Sequence, residues 1–65
     1  MNIAERMQRL GEGCQYRLGP VAYREYWDYA RENIQPDEYG IIEARFHGLP
    51  VIYDDTMPAD AVVVV

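Results

Sequence analysis

Sixty-five residues suffice for one domain, taken as residues 1–65, and are too few for a large core. The chain is 49% hydrophobic and 26% charged with a net charge of −5, which marks a globular, acidic domain that nucleic-acid phosphates repel. One cysteine, Cys14, excludes an intrachain disulfide, and one histidine, His47, excludes a Cys/His zinc cluster.

Asn2 is placed to cap a first helix, because its side-chain oxygen can accept from an orphan N–H of the first turn. Ile3, Met7 and Leu10 recur on one helical face, and Gly11 suits a left-handed stop. Glu5, Arg6 and Arg9 interrupt Met1–Leu10, so the segment lacks the apolar run of a signal peptide, and no later stretch is long enough to span a bilayer. The expectation is a cytoplasmic protein with Cys14 reduced and no membrane contact. After the Gly11-Glu12-Gly13 loop, Cys14, Tyr16 and Leu18 alternate, which allows a short strand.

Gly19-Pro20 opens the strongest helix, expected from Pro20 to Ile34, with proline at the first position where its missing N–H costs nothing. Tyr23, Trp27, Ala30 and Ile34 form an apolar stripe that Tyr26 and Tyr29 widen. Arg24, Asp28 and Arg31 are spaced for an exposed ion-pair row. Gln35-Pro36 through Gly40 breaks the chain, and the apolar period then changes to two.

Around a two-residue His47-Gly48 turn, Phe46 faces Leu49, Ala44 faces Val51 and Ile42 faces Tyr53, so all six fall on one face of a hairpin. Histidine is not the favoured first residue of such a turn, which leaves a wider loop open. Pro50 falls on the opposite face with its donor missing. A polar loop from Asp54 to Asp60 leads to Ala61–Val65, a strand apolar on both faces that calls for cover on both sides or for a place in an interface. The fold class expected is α+β: two helices packed on a small antiparallel three-stranded sheet, made of the β-hairpin and the C-terminal strand.

Site chemistry is sparse. Gly11 and Gly13 lack the later glycine and the lysine of a phosphate loop. Cys14 and His47 are a formal nucleophile–base pair, yet nothing visible activates the thiol. Asp54, Asp55 and Asp60 lack the spacing of a calcium loop and read as a solvated acidic turn. No catalytic residue, cofactor or metal is therefore assigned. All six cations are arginine, which suits planar interface contacts but follows more simply from codon bias in a GC-rich genome.

Six tyrosines and one tryptophan exceed what a small core needs, and such side chains dominate binding hot spots. The residues assigned to partner binding are Tyr23, Tyr26, Trp27 and Tyr29 as aromatic anchors, with Asp54, Asp55 and Asp60 as the acidic set. A tyrosine-rich core rim with its hydroxyls in water accounts for the aromatics equally well. The partner implied is a protein with a basic surface, and the valine strand and aromatic surplus make a homodimer the commonest symmetric way to cover both.

Gly48-Leu49-Pro50-Val51-Ile52-Tyr53-Asp54-Asp55, followed by Met57-Pro58, resembles strand–loop segments of tailed-bacteriophage structural and accessory proteins. The resemblance covers about a fifth of the chain, which is far shorter than a capsid protein. It implies phage or prophage origin. In size and acidity the chain is also similar to anti-CRISPR and other anti-defence inhibitors. The expectation is a non-enzymatic inhibitor that occludes a basic, nucleic-acid-binding site of a host protein. A phage structural or assembly protein that self-associates through its C-terminal strand is the alternative, and a small enzyme a third.

Overall fold

Asn2 caps the first helix as its chemistry requires. Its Oδ1 accepts from the Glu5 N–H at 2.9 Å, and α1 runs Ile3–Gln8 in the computed structural model, which describes residues 1–65. Ile3, Ala4 and Met7 are its buried face. The chain reverses through Gly11 at φ 84°, left-handed backbone that glycine adopts without strain.

Helix α2, Pro20–Asn33, starts at the expected proline but has no side-chain cap, since Gly19 occupies the cap position. The carbonyl of Ala59, from the loop before the last strand, accepts from the N–H groups of Val21 and Ala22 at 2.8 and 3.1 Å. A backbone oxygen far along the chain therefore does what a serine or aspartate usually does. A Cβ on Gly19 would stand 2.0 Å from the Pro58 oxygen, so glycine is required by close approach.

Four strands form the sheet: β1 (Tyr16–Leu18), β2 (Arg45–Phe46), β3 (Leu49–Tyr53) and β4 (Val62–Val64), in the spatial order β2-β3-β1-β4. The expected α+β class with two helices holds, but the three-stranded antiparallel sheet is corrected to a four-stranded mixed one. β1 runs parallel to β3, pairing Tyr16 with Val51 and Leu18 with Tyr53. α2 is the helical part of the crossover between them, which parallel neighbours require. β4 pairs antiparallel with the other side of β1.

The hairpin turn is the two-residue His47-Gly48, with φ of 52° and 79°, and Phe46 pairs with Leu49. Val51 N–H still reaches the Ala44 carbonyl at 2.8 Å. The expected Ile42–Tyr53 pair does not form. Arg45 N–H bonds to the Glu43 carbonyl at 2.9 Å, a tight local turn that takes the chain off the ladder before Ile42.

Strand alternation sends Tyr16, Leu18, Phe46 and Val51 toward the helices, where they are buried with Ala22, Tyr26 and Ala30 of α2. Leu18 and Met7 have no exposed surface, and burial on this scale stabilises by about 2 kcal/mol per side chain. Arg17, Ile52 and Val63 are register neighbours on the open face, all exposed. Of the two expectations for the last strand, cover on both sides within the fold is not met. Val62 and Val64 are half-buried, Val63 faces out, and the strand forms an edge of the sheet.

Candidate protein-binding surface

Helical geometry divides α2 into three faces at about 100° per residue. The inward face is Ala22, Tyr26 and Ala30, which keeps Ala30 of the expected stripe but replaces Tyr23 and Trp27 with their preceding neighbours. The small alanines let the helix lie close to the sheet, and Tyr26 fills the space between them. Its ring is fully buried and its hydroxyl donates to the Arg45 carbonyl at 2.8 Å. Burial pushes the Tyr26 hydroxyl above the ordinary tyrosine pKa, with Tyr29 and Tyr23 adding to the shift. Tyr26 therefore leaves the partner-binding set: it has no surface to offer.

One flank of α2 carries Tyr23 and Trp27, both half-buried. Tyr23 meets Trp27 at 6.2 Å and Tyr53 at 5.2 Å between ring centroids, both edge to face. Tyr53 was expected in a hairpin pair; with Ile42 gone it packs on the helix and stays 49% exposed. On the same flank, further around the helix, come Arg24 and Arg31. Only Arg31 pairs with Asp28; the expected Arg24–Asp28 pair is not made.

The other flank carries Tyr29 with Glu25, Asp28 and Glu32. These four line one cleft of 330 Å³ together with Asn2 and Ile3 at the start of α1 and Asn33. Here an aromatic ring and three carboxylates face one space, and neither Glu25 nor Glu32 has an ion-pair partner. Sequence reasoning passed over Glu25 and Glu32, although their spacing from Asp28 on one helical face was visible.

The acidic loop is differently employed. Asp54 Oδ1 accepts from the Thr56 hydroxyl at 2.5 Å and the Thr56 N–H at 2.9 Å, and Arg17 contacts Oδ2 at 3.3 Å. The Thr56 hydroxyl, then its N–H, hold the Asp54 carboxyl below its ordinary pKa, with Arg17 helping. Asp54 is thus a turn-former neutralised by arginine. Asp60 is bridged by Arg6, whose guanidinium also donates to the Asp60 carbonyl at 2.6 Å. Asp55 alone of the three is exposed and unpaired. The partner-binding residues named from sequence are therefore not one patch: Tyr23 and Trp27 join Tyr53, Tyr29 joins the glutamates, Tyr26 is internal, and Asp54, Asp55 and Asp60 lie along the β3–β4 loop.

Four ion pairs occupy four of the eleven acidic residues and four of the six arginines, leaving seven carboxylates against Arg9 and Arg24. The negative charge is thus unneutralised locally as well as overall. Cys14 is exposed and shares no hydrogen bond with His47. No three His, Cys, Asp or Glu side chains are grouped to hold a metal ion, and no helix is long and apolar enough to cross a membrane. No family model matches the chain, nor does any curated protein or solved structure show significant similarity to it.

Proposed function

We propose that this chain is a non-enzymatic protein-binding module that docks a basic partner in the cleft between α1 and α2. The observation that carries the reading is the convergence of Tyr29 with Glu25, Asp28 and Glu32 on that one cleft. Carboxylates steer a basic surface in and raise the on-rate, and an aromatic ring supplies rigid contact area once water leaves. The more specific form is a phage-encoded inhibitor that covers a nucleic-acid-binding site on a host defence protein. Its support is the sequence resemblance together with a surface whose free charge has the sign of a phosphate backbone. Affinity capture from host lysate with the wild type and with Glu25→Gln/Glu32→Gln tests it. The module reading expects basic proteins that the double variant fails to retain. The inhibitor form further expects the captured protein to lose nucleic-acid binding as the module is added.

A second reading, self-association through β4, is favoured by the edge geometry. Gln15 and Val65 exchange hydrogen bonds, and Gly19 N–H bonds to the Ala61 carbonyl, so odd-numbered residues of this segment turn their main-chain groups toward β1. Alternation leaves those of Val62 and Val64 pointing off the sheet. Two copies paired antiparallel about Val63 would satisfy both residues. Sedimentation at micromolar concentration decides: a dimer that Val63→Lys converts to monomer supports this reading, and a wild-type monomer removes it.

A further inference from the structure

A second cleft, of 420 Å³, lies at the opposite end of α1, lined by Gln8, Gly11, Glu12, Gly13, Tyr16, His47 and Leu49. Tyr16 is the informative residue. It is 3% exposed, its ring is packed edge-on against Phe46 at 5.8 Å, and its hydroxyl has no hydrogen-bond partner in the protein. No side-chain polar atom is fully enclosed without a partner, so the Tyr16 hydroxyl keeps some exposed surface, and Tyr16 lines the cleft.

The other groups around the cleft define what that is. Glu12 is exposed, forms no ion pair, and is the only formally charged residue lining the space. Gln8 contributes an amide that bonds to nothing else, and the main-chain groups of Gly11, Glu12 and Gly13 have no loop partner. His47 is held at φ 52° in the hairpin turn, and its ring stacks on Phe46 at 4.3 Å and 30°, which fixes a flat face at the rim. Leu49 supplies an apolar wall. The Glu12 carboxylate and the peptide carbonyls accept only, and the Tyr16 hydroxyl and the Gln8 amide accept as well as donate, beside a planar ring and an apolar strip. That set matches a flat cation with several N–H donors on an aliphatic stem.

We infer that this cleft is a socket for a guanidinium group, filled by an arginine side chain of the protein partner. Glu12 forms the charge-assisted bond, the Tyr16 hydroxyl and Gln8 accept further N–H groups, His47 stacks against the plane and Leu49 lies along the stem. The inference takes its occupant from the proposed basic partner, and it adds a point of specificity: charge alone would accept lysine, whereas this acceptor fork and stacking face favour arginine. The socket includes Gln8 at the end of α1, and the acidic cleft includes Asn2 and Ile3 at its start.

The test is a heteronuclear NMR titration of the full chain with a blocked Gly-Arg-Gly tripeptide, its citrulline and lysine counterparts, and free arginine. Saturable shifts at Gly11, Gly13, Tyr16 and His47 with the arginine peptide, at least about tenfold weaker with citrulline and weaker with lysine, are expected. Glu12→Gln, on an exposed loop, should weaken binding by about tenfold. Tyr16→Phe should weaken it with the melting temperature unchanged, because the hydroxyl bonds to nothing in the fold. Free arginine binding as well as the peptide would identify the head group alone as the ligand; weaker binding would show that peptide context contributes. Equal shifts with citrulline, or a Tyr16→Phe variant that loses stability and keeps binding, overturn the socket. Shifts confined to Tyr29, Glu25 and Glu32 overturn it while leaving the module reading intact. Absence of saturable binding anywhere also overturns it, without touching the module reading, which does not require an isolated arginine to bind.

Discussion

Substituting Gly19 by alanine tests how the start of α2 and the loop before β4 hold each other. The backbone at Gly19, φ −68° and ψ 172°, is extended and open to any residue, so alanine introduces no dihedral strain. The added methyl would instead stand 2.0 Å from the Pro58 carbonyl oxygen and 2.8 Å from that of Ala59. Both atoms are backbone, so the whole 58–59 segment must move. Overpacking of this kind costs about 1–3 kcal/mol. The move also pulls the Ala59 carbonyl from the N–H groups of Val21 and Ala22, two cap bonds worth about 1 kcal/mol each. The sum, about 3–5 kcal/mol, equals the whole stability expected of a domain this size. Urea denaturation followed by far-ultraviolet circular dichroism should show Gly19→Ala largely unfolded in buffer. Gly11→Ala is the internal control. A Cβ there meets nothing within 4 Å, so only its φ of 84° is strained, at about 1–2 kcal/mol. A Gly19→Ala midpoint at or above that of Gly11→Ala would refute the close-approach account of the α2 cap.

Three further outcomes follow from single groups. Tyr26→Phe should lose about 0.5–1.5 kcal/mol at neutral pH through the unpaired Arg45 carbonyl. Because the folded-state pKa of Tyr26 is raised, its contribution is complete below the unfolded tyrosine pKa of about 10 and is lost as pH rises through the folded value. The wild type should therefore destabilise in alkali more steeply than the variant, as read by melting temperature against pH. Asp54 has the opposite sign: its pKa is depressed, so its contribution is present above the unfolded value of about 4 and lost as pH falls through the folded one. Asp54→Asn should flatten that acid limb in the same assay. His47→Asn should stabilise by about 0.5–1 kcal/mol in urea denaturation, since asparagine accepts left-handed backbone more readily, while arginine-peptide binding weakens. No gain in the denaturation midpoint would mean that the Phe46 stack offsets the strain.

Local chemistry made much of the fold legible. Asn2, Pro20 and the His47-Gly48 turn each specify their own neighbourhood, and each element starts or turns where these residues stand. Pairing across distance was less visible. The Cys14–Leu18 alternation suggested a strand, but a hairpin downstream drew the sheet as antiparallel. The cue passed over is that a long helix between two strand segments favours a parallel crossover. The hairpin ended early for a reason no period encodes, the Arg45–Glu43 backbone contact. Tyr26 was misplaced because tyrosine reads as amphipathic, and whether its hydroxyl finds a buried partner depends on where Arg45 lies in space. For the same reason the acidic loop drew attention that belonged to α2. Asp54 and Asp60 are matched by Arg17 and Arg6, 37 and 54 positions away, whereas Glu25 and Glu32 are left unmatched.

The central claim is that the acidic cleft beside Tyr29 docks a basic protein, and the most direct measurement is the association rate with a captured partner as a function of salt. Wild type, Glu25→Gln/Glu32→Gln and Tyr29→Ala should be compared by surface plasmon resonance. The account predicts a wild-type on-rate that falls steeply as ionic strength rises past physiological values, where the screening length is about 8 Å. It predicts a flatter and slower dependence for the glutamine variant, and a faster off-rate for Tyr29→Ala with the salt dependence kept. Salt-insensitive association, or the same rates for all three proteins, would contradict it.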